Sequence, residues 1–86
     1  MPALSRFYGI VIKMYFAQRE HNPPHIHVIY GEETFSIAIK DGSILDGELN
    51  PSSRTLSMVN EWMAMHKDEL LQMWETQEFH EIEPLE

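Results

Sequence analysis

The sequence predicts an α+β domain: a small antiparallel sheet of three to four strands, with one long amphipathic C-terminal helix packed on one face. Three observations point there. The first half holds short runs of branched aliphatic and aromatic residues, separated by Gly, Pro and Asp-Gly punctuation. The second half opens on Asn50-Pro51-Ser52-Ser53 and continues with apolar residues at helical spacing. The chain has 86 residues, 43% of them hydrophobic, which sustains one core and not two, so 1–86 reads as a single domain.

Residues 1–8 read as an N-terminal arm, and the first strand spans 9–16. Alternation puts Ile10, Ile12, Met14 and Phe16 on one face, with Val11, Lys13 and Tyr15 on the other. Asn22-Pro23-Pro24 then interrupts pairing, because neither proline can donate a backbone hydrogen bond. A second strand runs from His25 to Tyr30. Gly31-Glu32-Glu33 connects it to a third over 34–40. Asp41-Gly42 is a hairpin signal leading to a fourth strand around 43–45, extendable towards Leu49. The short connections favour antiparallel neighbours, since a parallel crossover needs a longer link.

Asn50 could cap the helix with Pro51 at its first position, or Ser52 or Ser53 could cap a slightly later start. Over 56–74 the residues Leu56, Val59, Trp62, Met63, His66, Leu70, Met73 and Trp74 share one sector, opposite Glu61, Asp68 and Gln72. Trp62 and Trp74 read as core anchors. Met58 and Met65, seven residues apart, project roughly opposite Met63 and could form a narrow stripe for a partner helix. The acidic tail 75–86 lacks a second helical pattern, and Phe79 and Ile82 could tack it onto the body.

The formal charge is -8, and Lys and Arg total 6. These positive residues are scattered rather than blocked, which argues against autonomous nucleic-acid binding. A cationic partner suits the acidic surface better. With no cysteine, disulfides, thiol nucleophiles and thiolate metal ligands are excluded. The start lacks a signal-peptide core, and no apolar run approaches a membrane span, so the expectation is a cytoplasmic protein. Small domains of this size gain from association, which favours a small partner protein or a homo-oligomer.

Chemistry concentrates in His21-Asn22-Pro23-Pro24-His25-Ile26-His27. Strand alternation points His25 and His27 to one face, and His21 approaches across a proline-stiffened turn. Three imidazoles with an open position would suit zinc or another divalent metal, making His21, His25 and His27 the candidate ligands. Glu20 or Glu48 could add an oxygen. The alternative is that the rings serve packing and polar contacts with a partner. His66 lies in the apolar helix sector, where a boundary residue is the simpler account; the rival reading brings it to the strand histidines as a fourth member. Arg6-Phe7-Tyr8-Gly9 could form an arginine-and-aromatic recognition edge. No glycine-rich phosphate loop or Gly-x-Ser-x-Gly elbow is present.

Ser5-Arg6-Phe7-Tyr8-Gly9-Ile10-Val11-Ile12, Met14-Tyr15-Phe16, the proline–histidine run, Glu61-Trp62, His66-Lys67-Asp68-Glu69-Leu70 and Trp74 together resemble the domain of unknown function 4160 family of small bacterial proteins. The resemblance implies a compact bacterial domain without a settled activity. Such domains are often encoded beside another small domain, as in toxin–antitoxin modules. It carries His21, Pro23, Pro24, His25, His27 and His66 as the candidate cluster, with Arg6 and Tyr8 secondary. The expected function is therefore an interaction or regulatory domain. The alternative is a divalent-metal-dependent hydrolase or nuclease built on His21, His25 and His27.

Overall fold

A computed structural model describes residues 3–14, 23–47 and 50–85. Its strands are β1 (Ala3–Phe7), β2 (Ile10–Lys13), β3 (His25–Tyr30), β4 (Glu33–Ala38) and β5 (Ile44–Gly47), followed by helix α1 (Ser53–Thr76). The strands form one antiparallel sheet in the order β1-β2-β3-β4-β5. β3 has the bounds read from the sequence. The expected continuation of β2 through Tyr15 and Phe16, and the Glu48 and Leu49 end of β5, lie outside the described residues.

Among the described residues, five strands replace the expected three to four. The additional one is β1, in the segment read as an arm, and its physical signature explains why alternation hides it. Ala3 pairs with Lys13 but Ser5 pairs with Ile12, so Leu4 is an extra residue in a bulge. The bulge turns consecutive side chains inward: Leu4 is 1% exposed and Ser5 6%. A period of two therefore fails across this strand. The β1–β2 turn is tight, with positive φ at both central residues, Tyr8 (51°) and Gly9 (82°). That is the I′ geometry whose twist matches the flanking strands.

The register gives the sheet two unlike faces. Ile10, Ile12, Ile26, Val28, Phe35 and Ile37 lie on one, each fully or almost fully buried. Val59, Trp62, Met63, Leu70 and Met73 of α1 belong to the same core cluster. The Phe7 and Trp62 rings stack with centroids 5.8 Å apart.

Ser52 caps α1: its hydroxyl accepts the Thr55 N–H at 3.2 Å, which satisfies one of the free donors of the first turn. The helix ends at Gln77, which adopts the left-handed conformation and returns its N–H to the Met73 carbonyl at 2.8 Å. Within the helix, His66 departs from helical geometry (φ -123°, ψ 19°), marking a kink. The tail after the helix is irregular. Ile82 is buried in the core cluster, its N–H donates to the Leu4 carbonyl at 2.7 Å, and the Trp62 indole donates to the Glu83 carbonyl at 2.9 Å.

Candidate functional site

Opposite the apolar face, the register aligns four polar residues across four strands: Lys13 on β2, His27 on β3, Ser36 on β4 and Asp46 on β5. At about 4.8 Å per strand the row spans roughly 14 Å. Arg6 and Val11 pair on the same face one step along, and His25 lies two residues from His27 opposite Ala38. The candidate histidines thus belong to a polar row that also holds a lysine, a serine and an aspartate. Lys13 was legible as a residue of the non-core face. Ser36 and Asp46 were not, because only strand register brings them beside His27.

The bonds at the two histidines are specific. The Nδ1 of His25 lies 2.9 Å from the Pro23 carbonyl. A carbonyl only accepts, so Nδ1 carries the proton and Nε2 is the lone-pair nitrogen of the neutral ring. Pro23 thereby has a defined part: its carbonyl fixes the tautomer of a ring two residues on. The Nδ1 of His27 lies 3.2 Å from the Ser36 hydroxyl, a pair in which either atom can donate. The two rings meet edge to face, with centroids 5.2 Å apart and planes at 68°. Burial, and secondarily the neighbouring His25, holds the His27 pKa below the ordinary histidine value, partly offset by the Asp46 carboxylate.

The helix reaches this pair through Trp74, whose ring centroid lies 5.0 Å from that of His25. His66 is placed differently. Its ring contacts Trp62 (centroids 5.3 Å) and its Nδ1 lies 3.7 Å from Glu69 Oε1, while its buried Nε2 has no hydrogen-bond partner among the described residues. Among those residues no ring contact joins His66 to His25 or His27. Trp74, read as a core anchor, is partly buried against the core cluster and its ring also contacts that of His25.

His21, the third candidate ligand, lies outside the described residues, as do Glu20 and Glu48. Among the described residues no group of three or more His, Asp or Glu side chains is placed to hold a metal ion. Of the secondary candidates, Arg6 is exposed on β1 and Tyr8 is 55% exposed at the hairpin tip. Met65 is 61% exposed, whereas Met58 is partly buried against the core, so the two do not present one equally exposed stripe. No described helix is long and apolar enough to cross a membrane.

No curated protein and no solved structure matches the chain. One family model does, over residues 9–75, a stretch that includes the hairpin glycine, the proline–histidine run, all of β2 to β5 and the helix through Trp74. With that match covering most of the chain, the protein belongs to the family described as Domain of unknown function (DUF4160).

Proposed function

We propose that this chain is a small interaction or regulatory domain, a component of a toxin–antitoxin-like pair, that meets its partner with the histidine-bearing face of its sheet. The observation supporting this reading is the aligned row of Lys13, His27, Ser36 and Asp46, flanked by Arg6 and His25. The opposite face of the same strands carries the buried Ile10, Ile12, Ile26, Val28, Phe35 and Ile37, and in this reading it is the face that α1 covers. A polar row of mixed sign supplies directional contacts that fix the register of a partner. Trp, Tyr and Arg anchors concentrate binding energy at interfaces, and here the partly buried Trp74 beside His25 and the exposed Arg6 supply that chemistry.

The test is recovery of the natively expressed protein from its own cells, followed by identification of what travels with it. A small partner should co-purify at fixed stoichiometry, and His25→Ala with Lys13→Ala should release it. Recovery of a lone monomer, or a complex indifferent to both substitutions, would sink this reading.

A second reading, a divalent-metal site that would serve a hydrolase or nuclease, is favoured by the His25–Pro23 bond. Metal-binding histidines characteristically anchor one ring nitrogen on a carbonyl or hydroxyl and ligate through the other. Two imidazoles on one tetrahedral ion, with metal–nitrogen bonds of about 2.0–2.1 Å, have centroids roughly 5 Å apart. The 5.2 Å separation of His25 and His27 fits that geometry, with His21 as the third ligand. Metal content measured on untagged protein, then on a variant with His21, His25 and His27 all replaced by Ala, tests it. Unchanged content in the triple variant removes the site.

A further inference from the structure

Resting on the interaction-domain reading, we infer that the outer edge of β1 is a second docking site: a slot beside the tail that accepts an extended, positively charged peptide as a sixth strand. Phe7 and Ile10 close a two-residue hairpin. Alternation from that closing pair makes Arg6–Val11 a pair whose backbone groups point away from each other. The N–H and C=O of Arg6 therefore face outward from the sheet. The Leu4 carbonyl, released from the ladder by the bulge, also faces outward and takes the Ile82 N–H at 2.7 Å. Among the described residues this is the backbone bond made across the edge. The tail thus occupies one station of the edge without forming a strand.

Between edge and tail lies a groove of about 410 Å³, with Leu4, Ser5 and Arg6 on one wall and Glu81, Ile82 and Glu83 on the other. Its volume falls within the range of ligand-binding clefts. The Ser5 hydroxyl, in a residue only 6% exposed, has no hydrogen-bond partner among the described residues. A buried hydroxyl without a partner is costly, and an incoming peptide N–H or carbonyl would satisfy it.

The other sheet edge, β5, also carries a bulge, at Leu45, and its described span is four residues against five for β1. The choice of a cationic peptide follows from charge: Glu81 and Glu83 outnumber Arg6 at the groove, and the chain carries -8. Main-chain pairing would supply affinity and the acidic rim would select charge.

The probe is an octapeptide of alternating Val and Lys, blocked at both ends, titrated into the full chain by NMR and by tryptophan fluorescence. Binding should move the amide signals of Leu4, Arg6 and Ile82 and the indole signal of Trp62, whose N–H is tied to the Glu83 carbonyl. The exposed-site double variant Glu81→Lys with Glu83→Lys should weaken binding by about 3- to 10-fold, the scale of two rim charges. Methylating alternate peptide nitrogens on the pairing edge should abolish binding. Equal affinity for an otherwise identical octapeptide of alternating Val and Glu, indifference to N-methylation, or no binding at all would overturn the proposal. Signals that move at His25 and His27 instead of Leu4 and Arg6 would overturn the edge site while leaving the histidine-face reading intact. Failure of native co-purification, by contrast, removes that reading whatever the peptide does.

Discussion

Replacing Trp62 with Phe separates the contributions that hold helix, sheet and tail together. Trp62 is 0% exposed, stacks on Phe7 at 5.8 Å, and donates its indole N–H to the Glu83 carbonyl at 2.9 Å. Phe keeps a ring for the stack but removes three ring atoms, two carbons and the donor nitrogen. At roughly 0.8 kcal/mol per buried carbon, the lost burial costs about 2 kcal/mol. The lost hydrogen bond adds about 1 kcal/mol, taken near the middle of its usual range because the exposed Glu83 carbonyl can turn to water. The expected total, about 3 kcal/mol, is a large share of the roughly 5–10 kcal/mol that stabilises a small domain. Urea unfolding followed by circular dichroism should show a midpoint lowered by about 2–3 M with an unchanged slope. Amide exchange supplies the second measurement. The Ile82 N–H, bonded to the Leu4 carbonyl, should lose protection more than the Val28 N–H at the sheet centre. A loss below about 1 kcal/mol would refute the reasoning, because the burial term alone exceeds it.

Gly47→Ala should destabilise by roughly 3 kcal/mol or more, since its Cβ would collide with the Thr34 carbonyl oxygen and meet the Phe35 Cα at 2.7 Å, at a φ of +89°. Gly31→Ala, with φ +60° and nothing within 4 Å, should cost only about 1 kcal/mol in the same urea unfolding assay; equal losses would contradict the β4–β5 register. Ser52→Ala should cost about 1 kcal/mol by removing the cap on the Thr55 N–H, read as a drop in urea midpoint, whereas Ser57→Ala on the exposed helix surface should be near neutral. His27 carries a lowered pKa in the fold, so below about pH 6.5 the unfolded chain takes up the proton first and stability falls as pH falls, until the folded ring is protonated too. Ring-proton NMR should therefore place the His27 midpoint below that of unfolded histidine, and a midpoint at or above it would remove the burial argument.

The legibility of this fold followed how local each interaction is. β3 could be read to its ends because His25-Ile26-His27-Val28-Ile29-Tyr30 is bounded by Pro24 and Gly31, and each breaker acts on its own neighbours. The helix was read with its cap alternatives, and it runs from Ser53 with Ser52 as the cap. Strand β1 was missed because the Leu4 bulge places two consecutive residues inside, and a bulge is fixed by the partner strand rather than by the residues that contain it. At the candidate site, the shared face of His25 and His27 was visible from alternation. Ser36 and Asp46 were invisible for the opposite reason, since their approach depends on register across β4 and β5.

By itself, then, the sequence determined the α+β class, the antiparallel order of its central strands, the apolar stripe of α1 and the concentration of chemistry around the proline–histidine run. Those properties follow from backbone propensity and periodicity, which act over a few residues. Tertiary structure alone decided that His27 faces Ser36, that Trp74 and not His66 touches His25, and that the tail rests on the edge of β1. Each joins residues distant along the chain, and only the packed sheet and helix fix which of many possible pairings is made.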